Sequence, residues 1–316
     1  MNKKIAITIG DPAGIGTEIL IKALSLRQFD LKNIVIIGNK EILKKYGANG
    51  SFFKTYEIVD LPFDTTDFTF GVSTAKTGDF AFRTIVEACK LAKNKLISGI
   101  VTAPVAKEAM ILAGHNFSGQ TEVLEKHLGH DNQRVQMLFC SPVLNVLLLT
   151  RHLPLKNVAA KITIENFVQN VLQLDFVFKT QFNKKNPKFA LCGINPHAGE
   201  NGYLGREEQD IFIPAIKILN SKGIDITQPQ PADALFAKIA QNFFKGEKTQ
   251  FDCIISPYHD QGLIPVKMLA GKKAVNTTIG LDVLRTSPAH GTAFDIAGKN
   301  IADPESMIEA INLHYL

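Results

Sequence analysis

Short apolar runs that end in turn residues recur along this chain, and amphipathic helical patterns lie between several of them. The apolar runs cover residues 5–9, 34–37, 100–102, 135–139, 143–149, 189–192 and 253–255. The helical patterns place apolar residues three or four positions apart, at residues 80–93, 122–128, 164–178 and 207–219. Alternation of this kind predicts an α/β fold with a largely parallel central sheet.

The connections between these runs add two details to the predicted fold. Only three residues separate the runs at 135–139 and 143–149, which predicts a hairpin and therefore a mixed sheet. Near the carboxyl terminus, Asp303 suits an N-cap and Pro304 the first helical position, so a helix is predicted to run from there to about residue 313. The chain has no internal repeat and no linker rich in Pro or Ser. We therefore expect one large domain or two lobes.

Composition and charge limit the classes of partner. The chain has 316 residues, of which 45% are hydrophobic and 21% charged, as in an ordinary soluble protein with a large core. The net charge of +5 comes from 35 basic and 30 acidic residues, and the lysines are scattered along the chain. A nucleic-acid-binding stripe is therefore not indicated, whereas a mild positive field suits an anionic small molecule.

Neither export nor membrane insertion is indicated. The apolar run at residues 5–9 stops at Gly10-Asp11-Pro12, too early for a signal peptide, and no other run could span a bilayer. The cysteines lie among apolar neighbours at wide, unpatterned spacing, as core thiols of a reduced protein do. They are Cys89, Cys140, Cys192 and Cys253. The expected location is the cytoplasm.

Three histidines follow three of the predicted strands. His152 lies in VLLLTRHLPL, His197 in FALCGINPHAGE and His259 in ISPYHDQG. Loops that leave parallel strands at one polarity meet at one edge of the sheet, and three imidazoles with an open position can hold a catalytic divalent metal. Three unrelated structural histidines remain the alternative, since the spacing matches no compact zinc signature. Asp260 is either a hydrogen-bond support for His259 or an exposed turn residue.

Further along the chain, Lys267, Asn276 and Arg285 punctuate a mixed apolar and glycine-rich stretch with few acidic residues. Lys and Arg that converge from neighbouring elements would hold a phosphate, the Arg bidentately and the Lys as a point charge. Taken singly, each cation fits a solvated surface position equally well.

Residues 290–300 read HGTAFDIAGKN. This stretch resembles the HGSAPDIAGKG loop of the isocitrate and isopropylmalate dehydrogenases, which wraps the adenosine of the dinucleotide. The GDPAGIG stretch at residues 10–16 lacks the GxGxxG spacing and instead predicts a tight strand-to-helix turn. The resemblance implies cofactor contacts from His290, Gly291, Thr292, Ala293 and Asp295. Asp295 implies that NAD is preferred, because its carboxylate accepts from a free ribose hydroxyl and repels a 2′-phosphate; NADP remains possible.

The chain as a whole resembles the 4-hydroxythreonine-4-phosphate dehydrogenase family. The motifs GDPAGIG, RHLPL, NPHAGE, PAD, YHDQG and HGTA occur in the order and at the spacing of that family, from residue 5 to about residue 302. The resemblance implies a three-layer α/β/α fold like that of isocitrate dehydrogenase, with a central mixed, largely parallel sheet. It further implies a single catalytic domain, residues 1–316, of two subdomains with a cleft, and a homodimer whose active site lies at the interface.

The implied activity is the NAD-dependent oxidation of 4-phosphohydroxy-L-threonine in pyridoxal 5'-phosphate biosynthesis. The product, 2-amino-3-oxo-4-(phosphooxy)butanoate, decarboxylates to 3-amino-2-oxopropyl phosphate. A divalent metal (Zn²⁺, Mg²⁺ or Co²⁺) is implied on ligands from both subunits, namely His152, His197 and His259. The implied substrate contacts are Gln120, Thr121, Lys267, Asn276 and Arg285. Asp233 and Asp260 match acids that maintain the active site, and they join Lys107 as candidates for the general base.

One position departs from the family. The family reads GHTE where this chain reads Gly119-Gln120-Thr121-Glu122, so an amide that cannot be cationic replaces a histidine. The replacement predicts weaker substrate binding and a flatter dependence of KM on pH between about 5.5 and 7.5. It also predicts that Gln120→His lowers KM most at the acidic end.

Three alternatives stay open at this point. A related metal-dependent dehydrogenase could act on another phosphorylated hydroxy acid or on a dihydrodiol. A metal-dependent aldolase or hydrolase would explain the three histidines but not HGTAFDIAG. A non-catalytic sensor of a phosphorylated metabolite would explain Lys267 and Arg285 but would have no use for a metal triad.

Overall fold

The computed structural model describes residues 4–26, 29, 31–66, 68–130 and 134–315 of the chain. These residues form two compact units. The first unit comprises the described residues up to 130 together with 280–315, and the second comprises residues 134–279. The first unit is thus assembled from two separate stretches of chain, and the second from one continuous stretch.

All seven predicted strands are present, with ends that shift by up to three residues. In chain order the strands of the described residues are β1 (Ile5–Thr8), β2 (Ile34–Gly38), β3 (Glu57–Asp60), β4 (Gly99–Thr102), β5 (Gln136–Cys140), β6 (Val146–Leu148), β7 (Lys188–Leu191), β8 (Asp225–Ile226), β9 (Cys253–Ser256), β10 (Val275–Ile279) and β11 (Leu284–Pro288). The strands that the apolar runs did not predict are β3, β8, β10 and β11.

The predicted helices are present as well. The helices are α1 (Gly16–Leu26), α2 (Lys40–Lys45), α3 (Gly50–Thr55), α4 (Ala75–Lys93), α5 (Lys107–Leu112), α6 (Gln120–Leu128), α7 (Val158–Lys161), α8 (Ile164–Thr180), α9 (Ile213–Ser221), α10 (Ala232–Phe244), α11 (His259–Ala270) and α12 (Glu305–Asn312). A π-helical turn, Glu208–Phe212, leads into α9. α12 begins one residue later than predicted, and Asp303 accepts a hydrogen bond of 2.9 Å from the Glu305 backbone N–H.

The sheet of the first unit is parallel throughout. Its strand order is β3-β2-β1-β4-β11, and each neighbouring pair runs in the same direction. β1 and β2 are buried along their whole length, as parallel strands are when helices cover both faces of a sheet. The continuous apolar runs that predicted these strands therefore reflect burial on two faces.

The sheet of the second unit is mixed. Its strand order is β10-β5-β6-β9-β7-β8, and β5 runs antiparallel to both β10 and β6. The predicted hairpin is β5 and β6, which confirms that interpretation. The remaining pairs, β6 with β9, β9 with β7 and β7 with β8, are parallel. The predicted α/β class, with a mixed and mostly parallel sheet and flanking helices, is confirmed.

One local prediction is wrong. His259 was expected in a loop, but it is the first residue of α11. Of the two residues that suggested a loop, Pro257 precedes this helix, whereas Gly262 lies inside it. A Cβ at Gly262 would lie 2.7 Å from Val146 and 2.9 Å from Leu148, so the glycine permits close packing of α11 on β6.

His314 closes the first unit and makes its stability dependent on pH. Its Nε2 lies 2.9 Å from the Thr286 hydroxyl, and that hydroxyl donates to the Ala310 carbonyl. Burial lowers the pKa of His314 from 6.5 to about 4. The folded state therefore holds the ring neutral, whereas the unfolded chain binds a proton once the pH falls below 6.5.

We expect acid to destabilise the protein through His314. The contribution of His314 to the free energy of unfolding is fully present above pH 6.5. It falls by about 2–3 kcal/mol as the pH drops to about 4, because only the unfolded state gains a proton. His314→Gln keeps a hydrogen-bond donor for Thr286 but does not titrate. Urea unfolding at pH 7 and pH 4.5 should show a smaller loss for the variant than for the wild type. Equal losses for the two proteins would rule out this assignment.

Candidate active site

The loops that carry the three histidines leave neighbouring strands of the second unit. β6 leads to His152, β9 to His259 and β7 to His197. β6 and β7 lie on either side of β9, and both run parallel to it. All three connections therefore leave the same edge of the sheet, as the sequence predicts.

Side-chain hydrogen bonds tie these three connections together. The Thr150 hydroxyl donates to the Pro257 carbonyl at 2.7 Å and so links the loop of His152 to that of His259. The Gln261 amide donates to the Gly193 carbonyl at 2.8 Å and links α11 to the loop of His197. The Ser256 hydroxyl in turn donates to the Gln261 side-chain oxygen at 2.8 Å. Sequence reasoning gave no role to Gln261, although it stands inside YHDQG.

His152 and His259 form a pair. Their ring centroids are 5.6 Å apart and the rings are inclined at 47°. Two imidazoles bound tetrahedrally to one zinc ion place their centroids about 5 Å apart, given Zn–N distances of about 2.0–2.1 Å. The pair borders a pocket of 290 Å³ that Thr150, Val158 and Tyr258 also line. The separation and the open pocket both fit one divalent ion.

Asp260 orients one ring of the pair. Its carboxylate lies 2.7 Å from Nδ1 of His259 and accepts a hydrogen bond from it. This contact fixes the tautomer in which Nε2 carries the free lone pair, as is common for metal-binding histidines. The contact on which the supporting role of Asp260 depends is therefore present.

His197 lies in a turn of unusual backbone geometry. Residues 197–201 all have positive φ, from 42° to 78°, and only one of the five is a glycine. Left-handed backbone costs about 1–2 kcal/mol for each L-residue, so neighbouring contacts must hold this turn. Among the described residues, no group of three or more His, Cys, Asp or Glu side chains is arranged to hold a metal ion. Within one chain, His197 therefore does not join His152 and His259 in such a group.

Glu208 contacts the turn of His197, and sequence reasoning missed it. Its carboxylate accepts backbone N–H bonds from Ile194 at 2.8 Å and Asn195 at 2.9 Å. It also accepts a 2.9 Å bond from the Asn195 side-chain amide. A signal was available, because Glu208 stands four residues before the buried Phe212, on the apolar face of the predicted helix.

Arg285 is a buried cation of the first unit, with 2% of its surface exposed. It lies on β11, and its Nε and Nη2 donate to the Thr102 hydroxyl at 3.0 and 2.6 Å. Burial lowers the pKa of its guanidinium to about 10, an effect that Glu122 opposes, so the side chain is cationic at neutral pH. A cation held inside the protein interacts strongly with an anion, because little water screens it.

Gln120 joins Arg285 at the start of α6. Its side-chain oxygen accepts from Nη2 of Arg285 at 3.1 Å, and its amide donates to the Ala103 carbonyl at 3.2 Å. Both polar atoms of the Gln120 amide are therefore hydrogen-bonded within the protein, and the oxygen faces a cation. Thr121, the next residue on α6, is buried.

The contact with Arg285 changes the outcome expected for Gln120→His. A histidine beside a guanidinium has its pKa lowered, because the two positive charges repel. The variant ring should stay neutral, so KM should not improve at the acidic end, contrary to the prediction from sequence. Steady-state kinetics between pH 5.5 and 7.5 (roughly the range in which a free histidine titrates) would test this. A KM that falls below that of the wild type only in acid would contradict it.

The predicted cofactor loop is anchored to the amino-terminal motif of the first unit. The Ile15 backbone N–H donates to the Thr292 carbonyl at 2.9 Å. A Cβ at Gly14 would lie 2.9 Å from the Thr292 carbonyl oxygen and from its Cβ, so glycine is required there. His290 and Asp295 are exposed on the loop. The loop thus has a fixed base and offers a carboxylate and an imidazole to a ligand.

Glu18 and Lys22 of α1 hold the end of the same loop. Glu18 is 3% exposed and accepts from the Ala302 backbone N–H at 2.7 Å and from Lys22 at 2.8 Å. Lys22 also donates to the carbonyl groups of Asn300 and Ala302. This ion pair therefore fixes the chain just beyond HGTAFDIAGKN.

Asp11 is a buried acid in the GDPAGIG motif. Its carboxylate accepts from the Ala13 backbone N–H at 2.9 Å and lies 3.4 Å from the hydroxyls of Ser73 and Thr77. Burial outweighs these bonds and raises the pKa of Asp11 to about 6. The motif is therefore joined to the start of α4 by an acid that is half protonated in mildly acidic solution.

The remaining predicted residues differ in exposure. Lys107 begins α5 and Asp233 lies in the first turn of α10, and both side chains are exposed. Lys267 is exposed on α11. Asn276 lies on β10, and its side-chain oxygen is buried without a hydrogen-bond partner among the described residues. A buried oxygen without a partner fits a ligand that donates a hydrogen bond.

The profile of the pyridoxal phosphate biosynthetic protein PdxA family matches residues 4–314. The chain belongs to this family. It is 40% identical to the 4-hydroxythreonine-4-phosphate dehydrogenase of a Sulfurihydrogenibium species, with 99% of this chain and 98% of that protein covered. It is 38% identical to the D-threonate 4-phosphate dehydrogenase of Cupriavidus necator, with 97% and 95% covered.

A solved structure agrees with this membership. The 4-hydroxythreonine-4-phosphate dehydrogenase of Klebsiella pneumoniae is 34% identical to the chain and has a TM-score of 0.83. The alignment covers 99% of this chain and 98% of that structure. The PdxA family assignment therefore rests on sequence and fold alike, over nearly the whole length.

Proposed function

We propose that this PdxA family member oxidises 4-phosphohydroxy-L-threonine with NAD. The product is 2-amino-3-oxo-4-(phosphooxy)butanoate, which loses CO₂ to give 3-amino-2-oxopropyl phosphate for pyridoxal 5'-phosphate biosynthesis. The observation that carries the proposal is the pair of His152 and His259, backed by Asp260, in a chain whose relatives are dehydrogenases.

The histidine pair supplies ligands for a divalent ion, Zn²⁺, Mg²⁺ or Co²⁺. When bound, such an ion polarises a substrate hydroxyl and neutralises negative charge that develops on its oxygen. His259 offers Nε2 because Asp260 holds its Nδ1 proton, and His152 faces it across 5.6 Å. These side chains thus orient the substrate oxygen for oxidation.

Arg285 is proposed to bind the substrate phosphate. Thr102 and Gln120 hold its guanidinium in place, so little entropy is lost when the anion binds. Thr121, Lys267 and Asn276 complete the proposed substrate contacts. The buried side-chain oxygen of Asn276 can accept a hydrogen bond from the substrate. Asp260 is engaged with His259, so Lys107 and Asp233 are the proposed candidates for the general base.

The nicotinamide dinucleotide is proposed to lie along residues 290–295. His290, Gly291, Thr292 and Ala293 form the anchored turn, and Asp295 presents an exposed carboxylate to the ribose. A carboxylate there favours NAD over NADP.

A homodimer is proposed because one chain leaves the metal site incomplete. His152 and His259 pair within a chain, so His197 of a second copy would supply the third ligand. Large apolar side chains are exposed around these elements: Leu155 is 70% exposed, Met268 79% and Tyr203 87%. Apolar surface of this kind marks association sites. The active site would then lie at the dimer interface.

The cytoplasm is the proposed location. The four cysteines, all buried, are free thiols, which suits a reducing compartment. Within the described residues, no helix combines the length and the apolar character needed to cross a membrane.

A second candidate substrate is D-threonate 4-phosphate, named for the relative from Cupriavidus necator. It carries a hydroxyl at C2 where 4-phosphohydroxy-threonine carries an amine. Purified protein should be assayed with each compound, NAD and Zn²⁺ or Mg²⁺, with NADH absorbance as the readout. We expect a higher kcat/KM for 4-phosphohydroxy-threonine and no turnover after treatment with EDTA. Unphosphorylated 4-hydroxythreonine is the matched control. A higher kcat/KM for D-threonate 4-phosphate would contradict the proposed substrate and favour the second one.

A further inference from the structure

The turn of His197 is built around one buried carboxylate. Glu208 is 3% exposed, and three N–H groups of the segment just before the turn point at it. A buried carboxylate is costly unless it is hydrogen-bonded, so Glu208 and the segment that leads into the turn stabilise each other. The site thus has a dedicated support for His197.

Two glycines allow the carboxylate to approach the backbone. A Cβ at Gly199 would lie 2.7 Å from one carboxylate oxygen of Glu208, and a Cβ at Gly193 would lie 3.2 Å from the other. Gly199 is the central residue of the left-handed run, with φ of 78°. The acid therefore packs against the inside of the turn at a distance that no side chain would permit.

The Asn195 side chain connects the acid to its neighbour. Its amide donates to Glu208 at 2.9 Å and to Glu207 at 2.6 Å. Glu208 itself begins the π-helical turn Glu208–Phe212, whose last residue is fully buried. Wider helical turns of this kind occur mostly where a side chain must be placed for function.

We propose that Glu208 is the positioning residue for His197, holding its turn in the geometry that presents the imidazole to the metal. This inference rests on the proposed function, in which His197 is a metal ligand. In this role Glu208 is not itself a ligand. It acts through its hydrogen bonds to the Ile194 and Asn195 amides and through its close packing against Gly199. Loss of one of its acceptor oxygens should therefore weaken metal binding without removing a ligand.

The test measures affinity for Zn²⁺ by competition with a chromogenic chelator, and the visible spectrum of the Co²⁺-loaded protein. In Glu208→Gln the new amide meets the Asn195 amide, donor against donor. Loss of a group that orients a metal ligand through hydrogen bonds typically weakens metal binding about 10–100-fold. We expect a loss in that range and a changed Co²⁺ spectrum. Glu208→Asp keeps the charge on a shorter side chain. Its affinity for Zn²⁺ should therefore lie between those of the wild type and Glu208→Gln.

A reversal variant distinguishes positioning from general stability. Asn195→Asp with Glu207→Gln and Glu208→Gln reverses the side-chain hydrogen bonds between residue 195 and its two partners. It leaves an oxygen on residue 208 for the backbone N–H groups, and should restore affinity to within about threefold of the wild type. Glu18→Gln is the matched control, since Glu18 is also 3% exposed and holds a loop of the first unit. It should lower Tm without changing metal affinity.

The remaining outcomes separate the two proposals. If His197→Ala loses metal but Glu208→Gln keeps wild-type affinity and spectrum, the positioning role is overturned and the metal site stands. Failure of the reversal variant to recover, or an equal loss in Glu18→Gln, also overturns it. If His197→Ala keeps full metal affinity, the proposed metal site fails, and the positioning role fails with it.

Discussion

Mixed dimers of two inactive variants should recover about a quarter of wild-type activity when one chain carries His152→Ala and the other His197→Ala. Each single variant should be inactive, because each lacks a metal ligand at every site. If His197 crosses the interface, a mixed dimer contains one site with both lesions and one intact site. Random reassembly makes about half of the dimers mixed, which gives about a quarter of the intact sites.

The matched control is the pair His152→Ala and His259→Ala. The two rings lie 5.6 Å apart within one chain, so every site of this mixed dimer lacks one ligand and no activity should return. NADH production after refolding equimolar mixtures is the measurement. Recovery with this pair, and none with the His197 pair, would show that the interface divides the histidines differently. The sequence implied that both subunits contribute but could not say which histidines belong together.

Replacing the buried cation should have the second largest effect. Arg285→Lys keeps a positive charge but loses the two bonds to Thr102 and the one to Gln120. The ammonium would no longer be held in the geometry that binds the phosphate. Loss of one hydrogen bond between a charged group and the phosphate costs about 1.5–3 kcal/mol, so we expect kcat/KM for the phosphorylated substrate to fall about 100-fold. Most of the loss should appear in KM, because phosphate anchoring acts in ground and transition states alike.

Arg83→Lys provides the comparison for Arg285→Lys. Arg83 forms an ion pair with Asp79 at 2.8 Å on the surface of α4, where such pairs contribute little. Its kcat/KM should stay within about twofold of the wild type. A similar loss in both variants would assign the effect to stability, and an unchanged KM in Arg285→Lys would remove Arg285 from the phosphate site.

The sequence predicted those parts of the fold whose signal is local. β1, β2 and β9 are apolar runs because both faces of the sheet are covered, and periodicity detects that directly. The apolar runs did not predict β10 and β11, because several buried positions of these strands are polar, including Thr277, Arg285 and Thr286. Arg285 bonds to Thr102 and Thr286 bonds to Ala310, 183 and 24 residues away, and no short window of sequence contains both members of such a pair.

The candidate site was predictable to the level of loops but not of contacts. Parallel neighbours of β9 bring the histidine loops to one edge, and that follows from the pattern of strands. The hydrogen bonds from Gln261 to Gly193 and from Asn195 to Glu208 do not follow from it. They depend on how helices pack after the chain leaves the sheet. A glycine in a helix, such as Gly262, is indistinguishable in sequence from a glycine in a turn.

Because the first unit is assembled from two separate stretches of chain, its sheet can be completed only late in synthesis on the ribosome. β4 ends at Thr102, and the strand that covers its free edge, β11, begins at Leu284. At about 5–20 residues per second, the roughly 180 intervening residues take about 10–40 s to synthesise. Throughout that interval β4 exposes an unpaired edge on which another nascent chain could pair. The second unit, continuous in sequence, can complete its sheet before the first unit does.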